Sequence, residues 1–233
     1  AGDGAGTRGL FPAGRTSIFE IVPFEAGPRS RKVNMGSLHS RPALASPGDA
    51  MDPQMAAALD KMARIAADVG PVPETPTPEQ VRLRTLVERQ FWNEEPVPLP
   101  AVEDIRMPGL FRTVPVRMYR PSLAPNLPAI VYFHGGGWVK GSPATHDRPA
   151  RVLARESGAM VFGVDYALAP EHPFPEPLDE CVTVVEALAN TAVRWGIDAR
   201  RIALAGDSAG ANLALAAALD LRECRPDLIR AVL

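Results

Sequence analysis

From Ala129 onward, short apolar runs alternate with stretches of helical periodicity. Ala129 to Phe133, Ala159 to Asp165, Arg201 to Ala205 and Leu228 to Leu233 have the length and composition of buried strands. Helical patterns lie between them at about 145 to 157 and about 177 to 194. In the second, Leu178, Val182, Val185 and Leu188 share one face. A third runs from Ala209 to about Leu221 and is apolar almost all round, so it is expected deep in the fold. A strand that is apolar on both faces must be covered on both, and helices placed between successive strands do this. The order therefore predicts an α/β chain with a mostly parallel sheet flanked by helices.

The first half of the chain is different in kind. Proline is 25 of 233 residues, and 18 of the 25 lie at or before Pro128. Residues 1–50 show neither helical nor strand periodicity for a full element and are expected to be a disordered or non-native N-terminal extension. Asp52 as cap, Pro53 at the first position and Met55, Leu59, Met62 and Ile65 at helical spacing predict a helix over about 53 to 68. Gly70, Pro71, Pro73 and Pro76 form a stiff linker, and Thr77 with Gln80 three residues later is a capping box opening a second helix to about Phe91 or Trp92. Residues 51–100 thus read as two helices on proline hinges, a cover for the larger unit at 101–233. Val114, Val116 and Met118 alternate as a half-buried strand to Arg120, with Pro115 suggesting an edge position. Residue 1 is Ala, and the apolar run from Leu228 stops at Leu233 without a turn or cap, which gives the expectation of a fragment at both ends. An unpaired apolar edge there would favour a homodimer.

Apolar residues make up 46% and charged residues 22%, enough for a buried core. With 25 Lys and Arg against 27 Asp and Glu, the chain lacks the basic excess of an electrostatic nucleic-acid binder. No run of about 20 apolar residues or secretory signal core is present, giving the expectation of a cytoplasmic protein without membrane insertion. Cys181 and Cys224 are too few for a disulfide framework, and His146 and His172 have no ligand partners at fixed offsets, so neither metal nor cofactor is expected.

The chemistry concentrates in two glycine clusters. Gly206, Asp207, Ser208, Ala209 and Gly210 spell G-x-S-x-G between a predicted strand and a predicted helix, the context of a nucleophile elbow. So tight a turn lifts the hydroxyl clear of the sheet beside a helix N-terminus, where the next amide can meet a developing oxyanion. His134, Gly135, Gly136 and Gly137 follow the strand ending at Phe133, and three glycines there leave backbone amides unshielded for a substrate oxygen. A phosphate loop is the competing use, but Lys140 is followed by Gly141 and not by Ser or Thr.

These two clusters, Trp138 after the first, and the segment from Asp165 to Pro175, which reads D-Y-A-L-A-P-E-H-P-F-P, resemble the hormone-sensitive-lipase-like esterases of the α/β-hydrolase fold. The resemblance covers about Met51 to Leu233. It implies Ser208 as nucleophile and the amides of Gly135, Gly136 and Ala209 as oxyanion hole, with His134 organising the loop. Asp207 would support the elbow or complement the charge of the helix N-terminus. Asp165, Tyr166 and Glu171 would shape the wall behind the site or simply stabilise their loop. Trp92 and Trp138 are candidate pocket walls, and the two N-terminal helices would form the cap.

Two departures stand out. The family commonly has arginine where Ala167 stands. More consequentially, the fold's triad runs Ser, then Asp or Glu, then His, whereas His39, His134, His146 and His172 all precede Ser208, and Asp220, Glu223 and Asp227 lie on or just after the following helix. The expectation is a serine carboxylic-ester hydrolase acting through an acyl-enzyme on small or medium acyl esters, inactive as a fragment without its triad Asp and His. A non-catalytic small-molecule binder on the same scaffold, or an amidase or deacetylase of the same family, would share these residues.

Overall fold

The computed structural model describes residues 51–233; the expectation for residues 1–50 lies outside the described residues. Two helices come first. In α1 (Pro53–Val69) the Asp52 carboxylate accepts from the amides of Gln54 at 2.8 Å and Met55 at 3.2 Å. In α2 (Pro78–Gln90) both halves of the Thr77 and Gln80 capping box are made. A short 3₁₀ turn (Phe91–Asn93) follows. Neither helix contains a fully buried residue.

A six-stranded sheet is built from β1 (Ala101–Met107), β2 (Val114–Arg120), β3 (Leu127–Phe133), β4 (Met160–Val164), β5 (Ile197–Gly206) and β6 (Ile229–Val232), in the order β1-β2-β4-β3-β5-β6. Only β2 runs against the others, so the sheet is mostly parallel, as the alternation predicts. Helices α3 (Asp147–Ser157), α4 (Glu176–Asn190), α5 (Ala192–Trp195) and α6 (Ala209–Cys224) connect the strands. Side chains alternate across the pleat. On one face Val131, Phe133, Phe162, Val164 and Leu204 pack with Val185 and Leu188 of α4 and Leu213, Ala217 and Leu221 of α6. On the other, Ile130, Val161 and Tyr119 pack against Ala150 and Ala154 of α3. All of β4 is buried, as a strand covered on both faces must be.

Three expectations are corrected. Pro115 does not mark an edge: β1, which periodicity did not reveal, pairs antiparallel outside β2. The Pro115 carbonyl accepts from Asp165 N, at the point where β4 ends, so the missing proline N–H falls beyond the β4 ladder. The helix after Ser208 is buried along one face only; Leu215 and Leu219 on the other are 57% and 56% exposed. The helix expected over about 177 to 194 is interrupted at Thr191, between α4 and α5. At the mouth of β4, Arg112 grips buried Glu180 through two hydrogen bonds of 2.8 and 2.9 Å and also donates to Asp165 O. Ala167 N donates to the same carboxylate, so Arg112 supplies the guanidinium beside Ala167.

Candidate active site

Adjacent parallel strands β3 and β5 end in register, Phe133 opposite Gly206, so the loop from His134 and the turn at Ser208 leave the sheet side by side at its carboxyl end. This is where open α/β sheets place their ligands. Ser208 has φ 52° and ψ −117°, a left-handed backbone that a residue with a Cβ adopts only when its surroundings enforce it. The enforcement is visible. A Cβ on Gly206 would stand 2.7 Å from Phe133 O, and one on Gly210 2.7 Å from His134 O, so only glycine lets α6 start this close to β3. Ser208 is exposed and makes no capping bond of its own.

Asp207 fastens the two clusters together. Its Oδ1 accepts from Gly135 N at 2.9 Å and from the Tyr132 hydroxyl at 2.7 Å, and lies 3.4 Å from His146 Nε2. Burial opposes ionisation of this carboxyl, but the bonds from His146, Tyr132 and Gly135 prevail and hold it far below the usual carboxylate range. Burial and the same bond push the Tyr132 phenol upward. Of the two roles open for Asp207, a brace between elbow and loop fits these contacts. One consequence is a correction: the single proton of the Gly135 amide is committed to Asp207, so it is not an oxyanion donor. Gly135 is required for space instead, because a Cβ there would lie 2.9 Å from Asp207 Cγ. Among the described residues the amides of Gly136, Gly137 and Ala209 have no hydrogen-bond partner. Gly136, at φ 137°, accepts at its carbonyl from Val139 N and Lys140 N, which turns the loop back on itself.

His134 is 1% exposed. Its ring stacks on Tyr166, centroids 4.3 Å apart at 14°, and lies 5.6 Å from His146. Because Nδ1 must donate to Gly135 O at 3.0 Å, Nε2 carries the lone pair, and it is buried without a partner. Burial, reinforced by the neighbouring His146, lowers this imidazole to about 4, so the ring is neutral near pH 7 and serves as packing for the loop. The Tyr166 hydroxyl completes the stack by donating to His134 O at 2.7 Å. Asp165 meets Arg112 and Pro115 through its backbone, while burial pushes its carboxyl upward. Glu171 is exposed and forms a two-bond ion pair with Arg82 of α2, at 3.0 and 2.6 Å. Trp138, 42% exposed with φ 61°, accepts at its carbonyl from Ala169 N. Trp92 lies elsewhere, lining a cleft of about 350 Å³ with Ala57, Lys61, Phe91 and Arg148.

Sequence reasoning missed Tyr132, His146 and Arg82 as parts of this site. Tyr132 carried a weak signal, a hydroxyl within an otherwise apolar strand; Arg82 carried none. No group of three or more His, Cys, Asp or Glu suited to a metal occurs among the described residues, and no described helix is long and apolar enough to cross a membrane.

Comparison with known proteins agrees with this geometry. The alpha/beta hydrolase fold family matches residues 130–233. An acetyl esterase of Salmonella schwarzengrund is 40% identical over 146 residues, 62% of this chain and 44% of that relative. The chain thus spans about half the length of the curated relatives it matches. A crystal form of the Pyrobaculum calidifontis esterase superposes with a TM-score of 0.68 at 35% identity, over 78% of this chain and 57% of that one. A thermophilic carboxylesterase cloned from a metagenomic library gives 0.67 at 34% identity, over 69% and 55%. With the strained serine between two close-packed glycines and a triple-glycine loop braced beside it, the chain has the α/β-hydrolase fold and is similar over this region to esterases.

Proposed function

We propose that the protein is a carboxylic-ester hydrolase in which Ser208 forms an acyl-enzyme with small or medium acyl groups. One observation carries this reading: Ser208 stands on a strained turn beside three amides, those of Gly136, Gly137 and Ala209, that have no hydrogen-bond partner among the described residues. Ser208 Oγ attacks the ester carbonyl, the oxyanion is held by these amides, the alcohol leaves, and water hydrolyses the acyl-serine. A Cβ on Gly137 would meet nothing within 4 Å, which leaves open space beside that amide for the carbonyl oxygen. The acetyl esterase relatives favour a short acyl group. Helices α1 and α2 serve in this reading as the cap, and an association of two copies would use the side where Leu215 and Leu219 are exposed.

Attack needs a base, and the described histidines are engaged elsewhere: His134 with Gly135 O, His146 with Asp207 and Thr145, His172 with Glu176 at 2.7 Å. The reading therefore takes the triad acid and base from outside the described residues, and gives the described residues alone only the residual catalysis of an oxyanion hole and binding. The same observation favours the second reading, a non-catalytic ligand binder on this scaffold. Incubation with a fluorophosphonate probe separates them. Slow single-site labelling, mapped by mass spectrometry to the Ser208 peptide and absent in Ser208→Ala, is expected of the hydrolase. Labelling distributed over other serines, or none after prolonged exposure, overturns it. Hydrolysis of p-nitrophenyl acetate at the rate of an intact esterase would instead overturn the placing of the base.

A further inference from the structure

We propose that Arg82, on α2, is a positioning residue for the oxyanion loop, so that the N-terminal helices help to set the geometry of the hole. The inference rests on the hydrolase reading for its catalytic meaning, though not for its structural content. Arg82 lies outside residues 130–233, the part matched by the family. Its guanidinium makes four hydrogen bonds. Nε donates to Val139 O at 2.8 Å and Nη2 to Ala169 O at 2.9 Å, while Nη1 and Nη2 hold the two oxygens of Glu171. Val139 is the residue whose N–H closes the loop on Gly136 O, and Ala169 N in turn donates to Trp138 O. One planar group thus clamps the returning limb of the loop, residues 138–139, to the 169–171 segment. A planar fork can do this because its donors diverge at fixed angles; a lysine ammonium has no such geometry. The clamp matters because the hole acts only when its donors stand where the oxyanion will form, and misplacement by about 1 Å can cost about a hundredfold in rate. No residue of α2 is fully buried, so the helix is held largely by polar ties of this kind. Glu171 aims the guanidinium, and Arg82 keeps the Glu171 carboxyl below its ordinary range.

The test uses the 233-residue chain, Arg82→Met, Arg82→Ala, Arg82→Lys and Glu171→Ala, with hydrogen exchange resolved to the loop. In Arg82→Met the amides of Val139, Lys140 and Ala169 are expected to exchange about tenfold faster, with β3 and β5 within twofold of the parent. Arg82→Lys is expected to resemble Arg82→Met, and methylguanidine at millimolar concentration to restore protection in Arg82→Ala. Glu171→Ala, which leaves both carbonyl bonds possible, is expected to change exchange less than threefold; an effect equal to that of Arg82→Met would overturn the carbonyl clamp. Unchanged loop exchange in Arg82→Met would overturn the proposal outright. For the catalytic part, the fluorophosphonate reaction of Ser208 is expected to lose about tenfold in its maximal rate with half-saturation unchanged; the opposite split would assign Arg82 to binding. If the parent chain is never labelled, the hydrolase reading fails, and exchange alone still decides whether Arg82 holds the loop.

Discussion

The elbow with its neighbouring loop and the two N-terminal helices are held by opposite means. At the elbow, backbone meets backbone so closely that glycine is obligatory at positions 206 and 210, and one carboxylate, Asp207, serves three donors. In α1 and α2 there is no fully buried residue, Met55, Leu59, Met62 and Leu83 are exposed, and ties to the loop after β3 include hydrogen bonds from Arg82 of α2 and from Asn93 of the 3₁₀ turn that follows it. Close packing tolerates no change of volume, whereas polar ties at a surface are replaceable by water at small cost. The lesson is that the rigid half should break as a whole and the other half locally. Gly210→Val tests the rigid half most severely. Its side chain would enter the Phe133 and His134 carbonyls, and the expected loss is above about 3 kcal/mol, from overpacking against backbone that cannot move aside. Denaturant melts should show no cooperative folded state; a stable variant would mean that the elbow yields and the contrast is false.

Legibility followed the same division. Ser208, its flanking glycines and the triple-glycine loop were readable because their local geometry demands particular residue types in fixed order. The parallel sheet was readable because buried strands such as Met160–Val164 leave continuous apolar runs. Strand β1 was not, since Glu103, Asp104 and Arg106 face solvent on an edge strand and mask its period. Pro115 misled because its missing N–H is excused by the end of a neighbouring strand and not by an edge, a tertiary circumstance. The commitment of the Gly135 amide to Asp207 joins residues 72 apart in the chain, and the Arg82 clamp reaches across 57 to 89, separations that no local pattern encodes.

Acid offers a gentler probe of the rigid half. His134 has its folded value lowered to about 4 against an ordinary 6.5, mainly by burial. Below about 6.5 the unfolded chain therefore binds a proton that the folded chain refuses, and stability falls with pH until the folded value is reached. The expected loss is about 3 kcal/mol between pH 6.5 and 4. Asp207 acts lower: its depressed carboxyl contributes stability that is present above the unfolded value near 4 and is lost as pH falls below it. Urea melts at stepped pH in the parent and in His134→Asn check this, the variant being expected to lose the segment between 6.5 and 4 and to keep the steeper fall below 4. Identical profiles would show that the buried ring does not govern the acid response.

The smallest effect is expected at the other half. Thr77→Ala removes the hydroxyl that accepts from Gln80 N at 3.3 Å and, with it, half of the capping box of α2. Loss of such a cap costs about 1 kcal/mol of helix stability, or about fivefold in local opening. Because α2 buries no residue completely, its opening exposes little apolar surface and need not drag the sheet with it. Hydrogen exchange in residues 78–90 should therefore accelerate about fivefold while the urea midpoint of the whole chain stays where it was. A midpoint that fell together with the local protection would mean that the helix pair folds in one cooperative unit with the sheet. Arg82 would then be one tie among many, and the distinction between a backbone-packed elbow and a polar-tied cover would dissolve. An effect confined to α2 would show instead that the cover can loosen while the elbow stays intact, leaving the Arg82 fork as the route by which that loosening reaches the oxyanion loop.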